Sequence, residues 1–177
     1  MGTIQIDGST PKLTIGNATA EDATILFDGN AQDFYIALDD SAEPLRPALI
    51  WMDVRSANQA EQVADCADPA LRVNSNGKGP VSAEWMIPKA LWLKQNEPEI
   101  FERATTICEY QDYLNFHLTG RLVCSINNVS TRWHFDFSEG KTGSKKSVPG
   151  SLLEKLELAD LAEKWPVEVI RLGEVIG

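Results

Sequence analysis

Apolar and polar positions along the chain alternate in ways that predict a mixture of short strands and helices. The clearest apolar run, residues 48–51, is followed by Asp53 and Arg55. A helix signal comes next, because Ser56 is a favoured N-cap, Gln59 stands at the capping-box position, and small apolar residues then repeat at helical spacing. This pattern predicts a buried strand that carries an acid and a base to the start of a helix.

The junction between this strand and this helix is a candidate ligand site. In open α/β sheets, ligands bind at the carboxyl ends of the strands. The same residues would also suit an ordinary strand-to-helix turn in which Asp53 and Arg55 form a surface ion pair. The local pattern leaves both interpretations open.

The rest of the chain is predicted to form short elements joined by polar loops. One amphipathic helix, residues 109–118, would place its apolar residues on one face and end at Gly120. The other predicted elements are a strand at 35–38, a helix that opens at 82–85 with Pro88 in its first turn, a short helix from Pro98, a strand at 105–108, a helix at 126–131 capped by Ser125, helices at 152–156 and 158–162, and a β-like tail at 166–177.

Residues 1–34 differ from the remainder. They are rich in Thr, Gly, Asp and Asn and contain short β-like pieces separated by turn signals. The predicted organisation is therefore a β-rich N-terminal segment of uncertain origin, residues 1–34, followed by one domain, residues 35–177.

Composition and charge narrow the classes of function. The net charge of -10 argues against a nucleic-acid partner, which requires a basic surface. No apolar run approaches the length of a membrane span, so no membrane partner is expected. The three cysteines are widely spaced, which favours reduced thiols, a cytoplasmic location and no metal site.

Three motifs together resemble a known family. Residues 51–55, 88–94 and 111–114 are similar, in order and spacing, to the FGGY family of carbohydrate kinases, which includes ribulokinases, xylulokinases and glycerol kinases. The resemblance implies an α/β fold for residues 35–177: a partial ribonuclease-H-like domain of the actin/hexokinase type, with a mixed sheet flanked by helices. It would be part of the first kinase domain.

The resemblance also implies a sugar site. Recognition of a polyol requires groups that bond adjacent hydroxyls and an aromatic plane for the carbon face. Arg132 stands where ribulokinase-like members usually carry a lysine, and a planar guanidinium is not equivalent to an ammonium. The substrate-binding residues predicted in this way are Trp51, Asp53, Arg55, Asn30, Gln32 and Arg132. A buried Trp51, a hairpin turn at 29–32 and an ion pair at Asp53 are the structural alternatives.

The function implied by the resemblance is ATP-dependent phosphorylation of a pentulose, more ribulose-like than glycerol-like. In the family, the catalytic Asp segment and the nucleotide domain follow the region that these residues match. The chain alone is therefore predicted to lack turnover, with no catalytic residue and no metal site. ATP and Mg²⁺ are implied for the full-length family but not for this chain by itself.

A rival interpretation is a non-catalytic interaction module. Residues 13–22 and 27–33 resemble β-rich repeats of phage and marine viral structural proteins. In that case a viral-like segment would be joined to a kinase remnant. In either case, exposed sheet edges and an exposed cleft face predict self-association.

Three polar residues are predicted to be structural rather than catalytic: Asp112, His117 and His134.

Overall fold

The computed structural model describes residues 35–38, 40–50, 52–137, 148–165 and 168–170, which belong to one compact unit, residues 31–177. The N-terminal β-like pieces and the viral-like repeats lie outside the described residues. The strands are β1 (Tyr35–Leu38), β2 (Thr106–Glu109), β3 (Val123–Ser125) and β4 (Glu168–Ile170), and the α-helices are α1 (Ala57–Asp65), α2 (Met86–Asn96), α3 (Pro98–Arg103), α4 (Tyr110–Thr119), α5 (Ile126–Arg132) and α6 (Gly150–Lys155). Short 3₁₀ helices occur at Pro69–Val73, Ser75–Gly77 and Ala159–Ala162.

The described strands form two small sheets. β1 and β2 are antiparallel, with Tyr35 opposite Glu109, whereas β3 and β4 are parallel, with Val123 opposite Glu168. The predicted single mixed sheet is therefore not seen among the described residues. The predicted strand at 48–51 is likewise reduced there to one bridge position, Leu49.

Most of the predicted helices are confirmed, and their ends follow local chemistry. α2 carries Pro88 in its first turn, where the missing N–H costs nothing. The Ser125 hydroxyl accepts the N–H of Asn128 at 3.2 Å and caps α5. Gly120 has φ +72°, a left-handed conformation that ends α4 and that glycine adopts without strain.

The core lies around α2, whose Met86, Ile87, Ala90 and Leu93 are fully buried. Burying a methionine, isoleucine or leucine side chain contributes roughly 1.5–3 kcal/mol. Trp133, Phe135 and Trp165 form an aromatic cluster in the same core. The Trp165 ring centroid is 5.3 Å from that of Trp133 and 4.6 Å from that of Phe135. α2 is thus a buried, well-packed helix that residues 50 and 55 of the preceding loop contact.

α4 differs from its prediction in the face that it buries. Two residues of the predicted apolar face are exposed, Leu114 by 38% and Leu118 by 74%, whereas the polar Asp112 is fully buried. The Oδ2 atom of Asp112 accepts the N–H of Glu109 at 3.1 Å, just before the helix starts. The prediction that Asp112 is a structural cap is confirmed.

Candidate functional site

The segment after Leu49 forms a tight turn that presents Asp53. The N–H of Asp53 donates to the Ile50 carbonyl oxygen at 3.0 Å. The N–H of Arg55 then donates to Asp53 Oδ1 at 3.1 Å, which is the local bond typical of aspartate in turns. The Asp53 carboxylate is therefore oriented by the backbone N–H of the residue two positions later in the chain.

Asp53 and Arg55 form a two-pronged ion pair. Arg55 Nε lies 2.8 Å from Asp53 Oδ1, and Arg55 Nη2 lies 2.8 Å from Asp53 Oδ2. The carboxylate side chain is 17% exposed and the guanidinium side chain 41%. Arg55 also lies over the ring of Trp92, 4.8 Å from its centroid, so α2 supports the guanidinium by a cation–π contact.

The surroundings lower the pKa of Asp53. Burial acts against this by raising the pKa, but the hydrogen bonds and charge of Arg55, together with the positive charge of Lys89, outweigh it. The Asp53 side chain is thus an ionised carboxylate at neutral pH. With Arg55 beside it, the site offers both acceptors and donors to a ligand rich in hydroxyl groups.

Two buried side chains, those of Ser56 and Lys89, form hydrogen bonds that hold residues 50–56 in place. The Ser56 hydroxyl, which is fully buried, donates to the Ala83 carbonyl at 2.6 Å. The Lys89 side chain is also fully buried, and its Nζ donates to the Ile50 carbonyl at 3.0 Å. Ser56 stands at the predicted N-cap of α1 but makes no capping bond, and Gln59 donates to Gln95 instead of completing a capping box.

Arg132 occupies a buried position. Its Nε donates to Glu109 Oε1 at 2.7 Å and its Nη2 donates to the Glu84 carbonyl at 2.8 Å. Ser56, which follows the turn at Asp53, bonds the Ala83 carbonyl, and Arg132 bonds the carbonyl of the next residue, Glu84. The segment that contains Asp53 (residues 50–56, the Asp53 loop) and Arg132 are therefore bonded to neighbouring residues. This placement favours a structural role for Arg132, and its contact with a sugar stays a prediction. Trp51, Asn30 and Gln32 lie outside the described residues.

Sequence reasoning missed Lys89 and Trp92. One signal could have found Lys89: it lies three residues after Met86 and four before Leu93, both fully buried, and so shares their face of α2. A lysine inside an apolar stripe is either a mistake in the pattern or a buried charge with a partner. Here it has the Ile50 carbonyl as a partner.

A separate cavity of about 420 Å³ lies elsewhere, lined by Pro69, Ala70, Arg72, Val73, His134, Asp136, Val148, Pro149, Gly150 and Ser151. Burial lowers the pKa of His134 to about 4, so the ring is neutral, and Asn74 Nδ2 lies 3.3 Å from its Nδ1. This agrees with a structural histidine.

Among the described residues, no group of three His, Cys, Asp or Glu side chains could hold a metal. No helix in the same part of the chain is long and apolar enough to cross a membrane.

The family match identifies the wider setting of the Asp53 loop. Residues 18–145 match the N-terminal domain of the FGGY family of carbohydrate kinases, and they are more than half of the chain. The chain belongs to this family. The match includes residues 18–34, part of the segment that resembles viral repeats, and so gives the viral origin no support.

The curated relatives of this FGGY-family chain include xylulose kinases. That of Lactococcus lactis subsp. lactis is 30% identical over 143 residues, which are 80% of this chain and 27% of the relative. That of Streptomyces rubiginosus is 33% identical over 164 residues, which are 92% of this chain and 32% of the relative. The chain thus spans about a third or less of the length of these relatives.

Solved structures agree on the fold. The xylulose kinase from Rhodospirillum rubrum is similar with a TM-score of 0.63 at 21% identity, over 81% of this chain and 28% of that one. Similarity at this identity shows the fold alone, which is that of sugar kinases of the actin/hexokinase type. The expected α/β class is therefore correct, in the form of the mixed helices and strands described above.

Proposed function

We propose that these residues form the sugar-binding half of an ATP-dependent carbohydrate kinase that acts on a pentulose or a related polyol. The observation that carries the proposal is the Asp53–Arg55 pair, which is partly exposed, held in two-pronged geometry and supported by α2. Its oxygen atoms would accept hydrogen bonds from one sugar hydroxyl while the guanidinium donates to the next. Within the fold, residues 35–177 would be part of a ribonuclease-H-like first domain.

The sugar class follows from the family and its relatives. The relatives named above are xylulose kinases, which supports a pentulose in general. The sequence resemblance to ribulokinases makes ribulose the second compound to test, and glycerol represents the shorter polyols. Trp51, Asn30, Gln32 and Arg132 remain predicted members of the site.

ATP and Mg²⁺ belong to the reaction of the full-length family. In the part of the chain that the structure describes, no group of three His, Cys, Asp or Glu side chains could hold a metal ion. On their own, these 177 residues are expected to bind sugar without turnover. A cytoplasmic location and self-association stay predictions, the latter supported by the exposed Met52 and Val54 side chains.

The proposal is tested on the purified chain with xylulose, ribulose and glycerol. Sugar binding is followed by thermal-shift titration and isothermal calorimetry, and turnover is followed by ADP release with Mg·ATP. We expect a saturable response to one pentulose that Arg55→Gln abolishes and no ADP release. Arg121→Gln is the matched control, because the Arg121 side chain is as exposed as that of Arg55, 41%, and forms its ion pair with Glu168 instead of Asp53.

Two outcomes would contradict the proposal in different ways. No binding of any of the three compounds would reject a sugar site in these residues. Sugar-dependent ADP release would instead show that a complete catalytic site forms, and would overturn the expectation that the chain lacks turnover. Equal losses in Arg55→Gln and Arg121→Gln would show that binding depends on general stability rather than on the Asp53–Arg55 pair.

A further inference from the structure

Lys89 is the buried charge that packing alone does not explain. The side chain is fully buried within the apolar face of α2, between Met86 and Leu93. Taking an ammonium group out of water costs several kcal/mol unless partners replace the lost hydration. A leucine or methionine at this position would fill the same space without that cost. The charge therefore serves something other than the core.

One bond that Lys89 makes indicates a role for its charge. Its Nζ donates to the Ile50 carbonyl oxygen at 3.0 Å, and the N–H of Asp53 donates to the same oxygen, also at 3.0 Å. This oxygen is the acceptor that closes the turn at Asp53. A carbonyl that accepts a charged donor is fixed more firmly than one bonded to the backbone alone.

α2 supports the other half of the pair as well. Trp92 lies three residues after Lys89 and therefore on the same side of the helix. Its ring makes the cation–π contact with the Arg55 guanidinium. Lys89 and Trp92 thus hold the turn and the guanidinium from one rigid element. Asp53 and Arg55 depend on α2 although neither belongs to it.

We propose that Lys89 is a positioning residue of the candidate sugar site: its ammonium group fixes the Ile50 carbonyl and thereby the turn that presents Asp53 to the sugar. The part of this proposal that concerns sugar affinity rests on the proposed function, whereas the part that concerns Asp53 does not. The charge of Lys89 also lowers the pKa of Asp53, as does the charge of Arg55, against the opposing effect of burial.

The test compares Lys89→Met with Lys94→Met. Lys94 belongs to the same helix, but its Nζ bonds Asp160 and the Glu157 carbonyl instead of the Asp53 turn. The first readout is the titration of the Asp53 carboxyl carbon by NMR, with the signal assigned from Asp53→Asn. The second is the sugar affinity by calorimetry. We expect Lys89→Met to raise the pKa of Asp53 and to weaken sugar binding roughly tenfold or more, and Lys94→Met to change neither.

The two readouts separate this proposal from the function on which it partly rests. If the unmodified chain binds no sugar, the proposed function fails, and the Asp53 titration still decides the role of Lys89. An unchanged pKa of Asp53 in Lys89→Met, with sugar affinity within twofold of the original, would overturn the proposal. Should Lys89→Met not fold, as judged by circular dichroism, Lys89→Gln removes the charge and keeps a donor, and the same two outcomes apply to it.

Discussion

Arg132 and Glu109 form an ion pair inside the protein, with 2.7 Å between Nε and Oε1 and side chains only 7% and 2% exposed. Glu109 ends β2 and Arg132 ends α5. Arg132 also reaches the Glu84 carbonyl, so one guanidinium joins three segments of the chain. An arginine can do this because its fork presents several donors in fixed directions, which a lysine does not.

Replacing Arg132 with methionine should destabilise the protein strongly. The substitution leaves Glu109 as a buried carboxylate without its cation, and breaking a buried pair from one side costs about 3–5 kcal/mol. Urea denaturation of both proteins at pH 7 measures the difference. Arg121→Met is the control, because the Arg121–Glu168 pair is largely exposed and should contribute about 1 kcal/mol or less. Equal losses in the two variants would show that the buried pair has no special weight.

The stability of the protein should depend on the protonation of Asp112. Burial and the nearby charge of Glu109 raise the pKa of Asp112 well above its ordinary value of 3.8. Above pH 3.8 the folded chain therefore holds this proton where the unfolded chain has lost it. The contribution of Asp112 to the free energy of unfolding is thus fully present below that pH and is lost as the pH rises.

Asp112→Asn should remove this dependence, because the amide oxygen can still accept the Glu109 N–H and carries no charge. Urea denaturation from pH 4 to pH 8 should show the variant gaining stability relative to the original chain as the pH rises. Parallel curves for the two proteins would mean that the pKa of Asp112 is not raised.

His134 should give the opposite pH dependence. Burial lowers its pKa from 6.5 to about 4, so between these values the unfolded chain binds a proton that the folded chain does not. The free energy of unfolding therefore falls as the pH decreases through this window, by on the order of 3 kcal/mol at most. His134→Gln cannot be protonated and should lose less stability between pH 7 and pH 4. A variant whose stability falls as steeply as that of the original chain would contradict the assignment.

Ser56 and Ser125 should respond differently to the same substitution, although both precede a helix. The Ser125 hydroxyl accepts a backbone N–H, a role that aspartate performs equally well. The Ser56 hydroxyl donates to the Ala83 carbonyl from a fully buried position, where a carboxylate would meet an acceptor. Ser125→Asp should change the free energy of unfolding by about 0.5 kcal/mol or less, and Ser56→Asp should lower it by about 2 kcal/mol or more. Thermal denaturation measures both, and similar losses would contradict the distinction.

The sequence predicted those elements whose signals are local. α1, α2, α4 and α5 follow from spacing, proline position and end residues, and so does the strand at Tyr35–Leu38. The three-residue β3 was missed because it is too short to show a period of two. The exposed face of α4 was not predictable, since amphipathicity identifies an apolar face but does not tell what covers it.

The candidate site was predictable only in part. The alternation of residues after the apolar run brought out Asp53 and Arg55, and the structure joins them as a pair. The supports of the pair are contacts between residues distant in sequence, Lys89 with Ile50 and Trp92 with Arg55, and the position of Lys89 in an apolar stripe does not tell which group it contacts. Arg132 was predicted to bind sugar from the family resemblance alone, and that prediction stays open beside its observed bond to Glu109.

The pairing of β1 with β2 has a consequence for how the chain folds during synthesis. Residue 35 pairs with residue 109, so the first described strand leaves the ribosome long before its neighbour has been made. Closing so large a loop is entropically costly, and distant strand pairing slows folding. Until β2 arrives, the nascent β1 exposes unpaired backbone groups to which another nascent chain can bind. A slowly translated stretch between the two strands would lengthen that exposure.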